Sequence, residues 1–343
     1  MATIIDLQNS IKANASAEYN ERIPEATRDN ITAIGNTLLT YKALKDEWLD
    51  TLINKIAMSI VRSKMSKNKL AKFRKGTIPF GDTVEEIWIE IAKGENFNPD
   101  ATDPFTKKNP SVKTIYHRQD RKLQYTVTVQ DAQLRTAFRS ESSLTGFVNG
   151  IINSLYIART YDEYVMTKEL FGSYRDGAIA KVDVITDQAS ALAFCQKVKQ
   201  GVRNLSYMRD IYNKQGVMTS TDKDQLTMLI QKDVISALEM HLSGVYNLKD
   251  VLWDVETIEI DDFGSYTGRY AMLVSNDAPQ IYDTLSDTES QRNGKGKYTN
   301  YFVNTWGLYS ISLFENVLSF EIDPTPDAVN DLNDENDDTT VTD

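Results

Sequence analysis

Apolar side chains recur along residues 31 to 61 at Ile31, Ile34, Leu38, Leu44, Trp48, Leu52, Ile53, Ile56 and Ile60. Spacings mostly of three and four predict one or two amphipathic helices. The polar stretch before them has few large side chains to bury and predicts an extended arm that leans on another surface, a neighbour's included. Val84 to Ala92 reads as a strand, and Leu123, Tyr125, Val127 and Val129 alternate with Gln124, Thr126, Thr128 and Gln130 in period two. These runs predict the two arms of a long hairpin. Its projecting tip would be the polar segment from Lys93 to Val112, punctuated by Pro99, Pro104 and Pro110. A connection of about 20 residues is long for a compact domain and points to an intermolecular role.

After Ser140 the period becomes helical through Leu144, Phe147, Val148, Ile151, Ile152, Leu155 and Ala158 to Leu170, ending at Gly172. At 1.5 Å per residue such a helix runs roughly 40 Å, long enough to serve as a backbone for other elements. Gly146 and Gly150, four apart, predict close approach of another segment. Residues 182 to 252 predict helical stretches, among them Ala189 to Arg203 and Gln225 to Ile230, joined by polar connectors. Strands return at Val255 to Ile260, Tyr270 to Val274 and the aromatic, β-branched run Tyr298 to Phe320. The fold class is α+β.

Composition fits this picture: 41% hydrophobic and 25% charged residues are ordinary for a globular protein. The formal net charge is −11, but nine acidic residues fall within residues 321 to 343, which hold no Lys or Arg, leaving −2 for the rest. From Lys55 to Lys75 the balance reverses, with eight basic residues and no acidic one. Cys195 stands alone, so no internal disulfide forms and a reducing compartment fits. Asp6, Gln8, Asn9 and Ser10 interrupt any signal-peptide core, and no run approaches the roughly 18 apolar residues of a membrane span.

Chemistry finds few residues to use. His117 and His241 have no His or Cys at metal-ligand spacing, which leaves zinc sites and histidine-activated nucleophiles without parts. Gly294-Lys295-Gly296 lacks the rest of a phosphate loop and reads as a turn. Asp331 to Asp338 has the alternating oxygens of a calcium loop, but Asn336 and Thr342 stand where its turn glycine and closing glutamate belong. Pairs such as Glu85-Glu86 and Asp261-Asp262 are common in a chain with 49 acidic residues and indicate no acid-base catalysis. No catalytic residue, cofactor or metal is expected.

Several stretches, in order, carry a resemblance. Leu70-Ala71-Lys72-Phe73-Arg74-Lys75-Gly76, Ile78-Pro79-Phe80-Gly81 and Thr83-Val84-Glu85-Glu86-Ile87 resemble the start of the E-loop in head proteins of Picovirinae-type short-tailed bacteriophages. So do Val112-Lys113-Thr114, Gln130-Asp131 and Leu134-Arg135-Thr136-Ala137-Phe138. Phe147-Val148, Ile151-Ile152-Asn153 and Asp162-Glu163-Tyr164 are similar to that family's spine helix, and Tyr298, Asn300-Tyr301, Trp306, Ser310-Ile311-Ser312 and Phe314 to its closing strand.

The resemblance implies the tailed-phage major capsid fold (HK-ninety-seven type). An N-terminal arm and helix would occupy 1–50, a basic segment 51–83 and the E-loop hairpin 84–129. The peripheral domain with its spine helix would take 130–181, a mostly axial domain 182–290, the closing strand 291–323 and a disordered acidic tail 324–343. Some family members continue into an immunoglobulin-like domain where this chain has only that tail. It further implies a virion protein, assembled in the host cytoplasm into pentamers and hexamers around double-stranded DNA, with scaffolding and portal proteins as partners and no membrane. Contacts between copies are expected at Ile87, Trp88, Ile89, Ile91, Leu123, Tyr125 and Val127, an apolar stripe that a monomer cannot cover. Charge contacts are expected at Arg62, Lys64, Lys67, Lys69, Lys72, Arg74 and Lys75. The alternative is a nucleic-acid-binding protein that uses residues 55 to 75 against phosphates.

Overall fold

The computed structural model describes residues 4–63, 68–79, 83–92, 94, 107, 109–242, 255–264, 266 and 268–322, without the side chains of residues 56–63, 141, 152 and 156. The acidic tail, most of the expected hairpin tip, Lys64, Lys67 and the candidate calcium loop lie outside these residues.

The elements run, in chain order, α1 (Ile4–Ala13), α2 (Ala17–Arg22), α3 (Ile31–Thr40), α4 (Lys42–Ser63), β1 (Arg74–Thr77), β2 (Val84–Ile89), β3 (Val112–His117), β4 (Arg121–Gln130), α5 (Asp131–Ala137) and α6 (Glu141–Ser173). There follow β5 (Ala178–Val182), α7 (Gln188–Leu205), β6 (Leu226–Gln231), α8 (Lys232–Leu242), β7 (Glu256–Ile260), β8 (Arg269–Ser275), β9 (Pro279–Asn293), β10 (Tyr298–Ile311) and β11 (Val317–Ile322). They divide into two compact units.

The first unit draws on Met1–Val84, His117–Thr167 and Gln280–Tyr309. Its sheet has the order β1-β9-β10-β4, with β1 parallel to β9 and β4 antiparallel to β10 from Tyr298↔Gln130 to Gly307↔Arg121. Helices supply the rest of its core: Ile34 and Leu38 of α3, Trp48 and Leu52 of α4, and Leu144, Val148 and Leu155 of α6 pack with Val129 and Tyr301 from the sheet. The Trp48 ring meets Phe138 at 5.1 Å. Gly35 allows that packing, because a Cβ there would come within 2.5 Å of the Phe138 side chain.

The expected N-terminal arm is corrected here. Residues 4–26 form α1 and α2 and are anchored in the same unit by the buried side chains Ile11, Tyr19, Ile23 and Ala26. The Trp48 indole donates to Gln8 Oε1 at 2.9 Å, and Ser16 Oγ bonds Glu47 at 3.0 Å while capping α2. Four apolar anchors spaced widely across a polar stretch are too sparse to form a periodic signal, yet each is fully used.

The second unit draws on Glu85–Tyr116, Lys168–Pro279 and residues from Ser310 onward. Its main sheet has the order β5-β11-β8-β6-β7; β8 is antiparallel to both β11 and β6, whereas β5 with β11 and β6 with β7 are parallel. The α7 helix starts at an Asp187 cap, whose side chain accepts from Ser190 N–H at 2.8 Å. It buries Ala191, Phe194, Cys195, Val198 and Val202 at helical spacing against β-strand residues such as Leu273 and Phe320. Burial pushes the Cys195 thiol up to about 11, so it behaves as a small apolar group.

The helix expected over Gln225 to Ile230 does not form: Gln225 ends a single 3-10 turn, Lys223–Gln225. Leu226–Gln231 is a strand with neighbours on both sides, and its unbroken apolar run has no period that separates a central strand from a buried helix. The close approach expected at Gly146 and Gly150 is made by none of the described residues. It occurs instead at Gly172, where a Cβ would collide with the Phe263 carbonyl oxygen. Gly294 to Lys297 form the turn between β9 and β10, with Lys297 at φ 53°.

Candidate functional site

The long hairpin has different arms from those its alternation predicts. The partner of β2 is β3, in a separate two-stranded sheet. Glu90 N–H donates to Ser111 O at 2.8 Å near one end, and Tyr116 Oη donates to Glu85 Oε1 at 3.0 Å near the other, so the strands run antiparallel. The Glu85 carboxylate raises the Tyr116 hydroxyl above its ordinary value, through the hydrogen bond first and charge second.

The pleat sorts the side chains into two faces. Ile87 and Ile89 are 58% and 59% exposed and Ile91 47%, with Val112 and Tyr116 of β3 both at 57%. Trp88 is on the other face and half-buried. A two-stranded ribbon has no second layer of its own, so five large apolar side chains remain in water. The ribbon is tied within its unit by Lys113 Nζ, which donates to Gln215 O at 2.6 Å.

Leu123, Tyr125 and Val127 do not belong to this stripe. They lie on β4, paired along its length to β10, and Tyr125 and Val127 pack against the core of the first unit. The Tyr125 hydroxyl donates to Asp162 Oδ2 at 2.9 Å, and burial raises it well above its ordinary value. Both β2 and β4 alternate, but period two reports only that one face is covered, not which strand covers it. The Val112–His117 strand is the one the pattern missed, its alternation hidden behind the prolines.

Of the seven basic side chains expected to make charge contacts, four are described. Arg74 is buried and ion-paired with Asp283 across the parallel β1-β9 pair. Lys72 places its ammonium 5.2 Å from the Phe73 ring centroid, and Lys69, Lys72 and Lys75 are exposed. Arg62 is on α4 with its side chain undescribed. Phe73 is buried and unavailable for base stacking.

Among the described residues no group of three or more His, Cys, Asp or Glu is placed to hold a metal, and no helix is long and apolar enough to cross a membrane. His117 is buried at the end of β3, while His241 is in the last turn of α8.

A fold of this kind occurs in solved phage capsids. The capsid structure of Staphylococcus phage Andhra is similar at TM-score 0.58, with 12% identity over 75% of this chain and 84% of that one. A capsid chain of an empty GTA particle is similar at TM-score 0.50, with 8% identity over 75% of this chain and 90% of that one. Sequence likeness goes further. The major capsid protein of Bacillus phage B103 is 31% identical over 325 residues, 92% of this chain and 72% of the relative. That of Streptococcus phage Cp-1 is 26% identical over 338 residues, 91% of this chain and 93% of the relative. Residues 8–321 match the family described as Phi29-like phage major capsid protein. The two compact units, the solitary ribbon and the long α6 helix thus have a common setting: the chain belongs to the Phi29-like major capsid proteins, with the tailed-phage capsid fold, and is a structural component of the virion.

Proposed function

We propose that copies of this chain assemble through the β2-β3 ribbon into a closed shell of pentamers and hexamers around double-stranded DNA, with scaffolding and portal proteins as assembly partners and no catalytic activity of its own. The observation that carries this reading is the uncovered apolar face Ile87, Ile89, Ile91, Val112 and Tyr116. An exposed apolar row of this kind on a two-stranded ribbon calls for a partner, and in a closed lattice each heterologous contact is met by the next subunit. The contact set narrows accordingly to the β2-β3 face, with Trp88 on its reverse, Tyr125 and Val127 assigned to packing within the subunit and Leu123 to the β4 strand paired with β10.

Replacing Ile87 and Ile89 with aspartate tests it. The variant is expected to stay folded, because neither side chain contributes to a core, and to yield at least about tenfold fewer particles when co-expressed with a scaffolding partner. Normal particle yield would refute the reading. The nucleic-acid alternative predicts tight, salt-sensitive binding of free DNA by the soluble subunit. The pairing of Arg74 and the burial of Phe73 weigh against it.

A further inference from the structure

The chain beyond β11 has a charge that matches one surface of the second unit. The 20 residues from Pro324 to Asp343 hold seven acidic side chains and no Lys or Arg. Acids are frequent through the second unit, but the run from Gln188 to Arg209 has none and carries Lys197, Lys199, Arg203 and Arg209. That run contains α7. On its outer side Gln196, Lys197, Gln200 and Arg203 are exposed and Lys199 is half-buried, while the opposite face packs on the sheet. Lys197 reaches β5, where its Nζ donates to Lys181 O at 2.7 Å, and the Lys181 side chain is exposed as well. The nearest acids along the chain are Asp183 and Asp187, and the Asp187 carboxylate is engaged as the α7 cap. Beside α7, α8 carries Lys232 with Asp233 and Glu239.

The acidic segment begins at the edge of this surface. β11 ends at Ile322, in register with Val182 at the end of the parallel strand β5, and α7 starts only five residues after Val182. At 1.5 Å per residue, Gln188 to Arg203 spans about 22 Å. A coil of 20 residues has a mean end-to-end distance of about 25 Å, and like charges extend it, so the acids fall within reach of every cation on α7. Single exposed ion pairs contribute little. A tethered segment, however, is present at an effective concentration on the order of 1 mM, at which several weak contacts made together suffice. Any polyanion is drawn to such a surface, and this one is already attached beside it.

We propose that residues 324–343 dock along α7 of their own chain, against Lys181, Lys197, Lys199 and Arg203, and screen that surface from nucleic-acid phosphates. The contact is intramolecular and does not depend on how copies assemble.

Sparse lysine acetylation of the full-length subunit tests this. The unaltered chain is compared with one carrying Asp327→Asn, Asp331→Asn, Asp334→Asn, Glu335→Gln, Asp337→Asn and Asp338→Asn, changes that all follow β11 and leave both cores intact. Each lysine is read by mass spectrometry. Lys197 and Lys199 are expected to react about threefold faster in the altered chain, with Lys42 of the first unit unchanged. The difference should vanish at about 1 M salt, where the screening length falls to about 3 Å from about 10 Å at 0.1 M. Equal rates at Lys197 and Lys199 at low salt would overturn the proposal. So would a difference that shrinks on dilution, which would assign the contact to the tail of another copy. In a second measurement the altered chain is expected to bind a short DNA duplex about tenfold more tightly than the unaltered one at low salt. Equal binding would overturn the screening role.

Discussion

Arg269 is almost wholly buried at the start of β8, where burial pulls its guanidinium below the ordinary value and the Glu321 carboxylate opposes that pull. It gives Nε and Nη2 to Glu321 Oε1 at 3.0 and 2.8 Å, Nη1 to Phe171 O at 2.6 Å and Nη2 to Tyr174 O at 2.8 Å. Tyr266 donates to the other Glu321 oxygen at 2.7 Å. Removing one member strands a buried charge, so Arg269→Met is expected to cost about 3–5 kcal/mol in urea unfolding, and Arg269→Met with Glu321→Gln less than the sum of the two single changes. Asp131 behaves differently. Burial pushes its carboxyl up, but Lys45 Nζ at 2.9 Å and Arg292 Nη2 at 3.1 Å outweigh that and hold it below the usual carboxylate range. A lowered folded value means its stabilisation is present above the unfolded value of about 3.9 and is lost as pH falls through the folded one. Asp131→Asn should therefore lower stability at pH 7 and flatten the loss of stability below about pH 4, measured by melting across that range.

At the element scale, the long helix, the α7 helix and most strands were legible because each has a buried face that repeats. Val84–Ile89 and Arg121–Gln130 were both recognised as strands, yet their pairing was not, since a strand's partner depends on turns and registers that alternation does not encode. The ribbon face Ile87, Ile89 and Ile91 was legible as an apolar stripe. Val112 and Tyr116, which complete it, were not, because the strand carrying them directly follows the proline-punctuated polar segment that ends at Pro110 and hides its alternation. Gly172 marks a further limit, for the sequence shows a helix terminus and not the Phe263 carbonyl pressed against it. Gly172→Ala should cost about 1–3 kcal/mol, read from the urea midpoint, whereas Gly146→Ala, in open space on the same helix, should be neutral or slightly stabilising.

For the whole molecule, the proposed shell assembly gives a reason why a chain with two well-filled cores leaves large apolar side chains in water at the ribbon. On the proposed assembly, those side chains are the surface that other copies of the chain cover. The measurement that tests this most directly is a cryo-electron-microscopy reconstruction of particles assembled from this chain, at a resolution that shows side chains. The account predicts Ile87, Ile89 and Ile91 packed against a neighbouring copy; particles in which that face of the ribbon remains in solvent would contradict it.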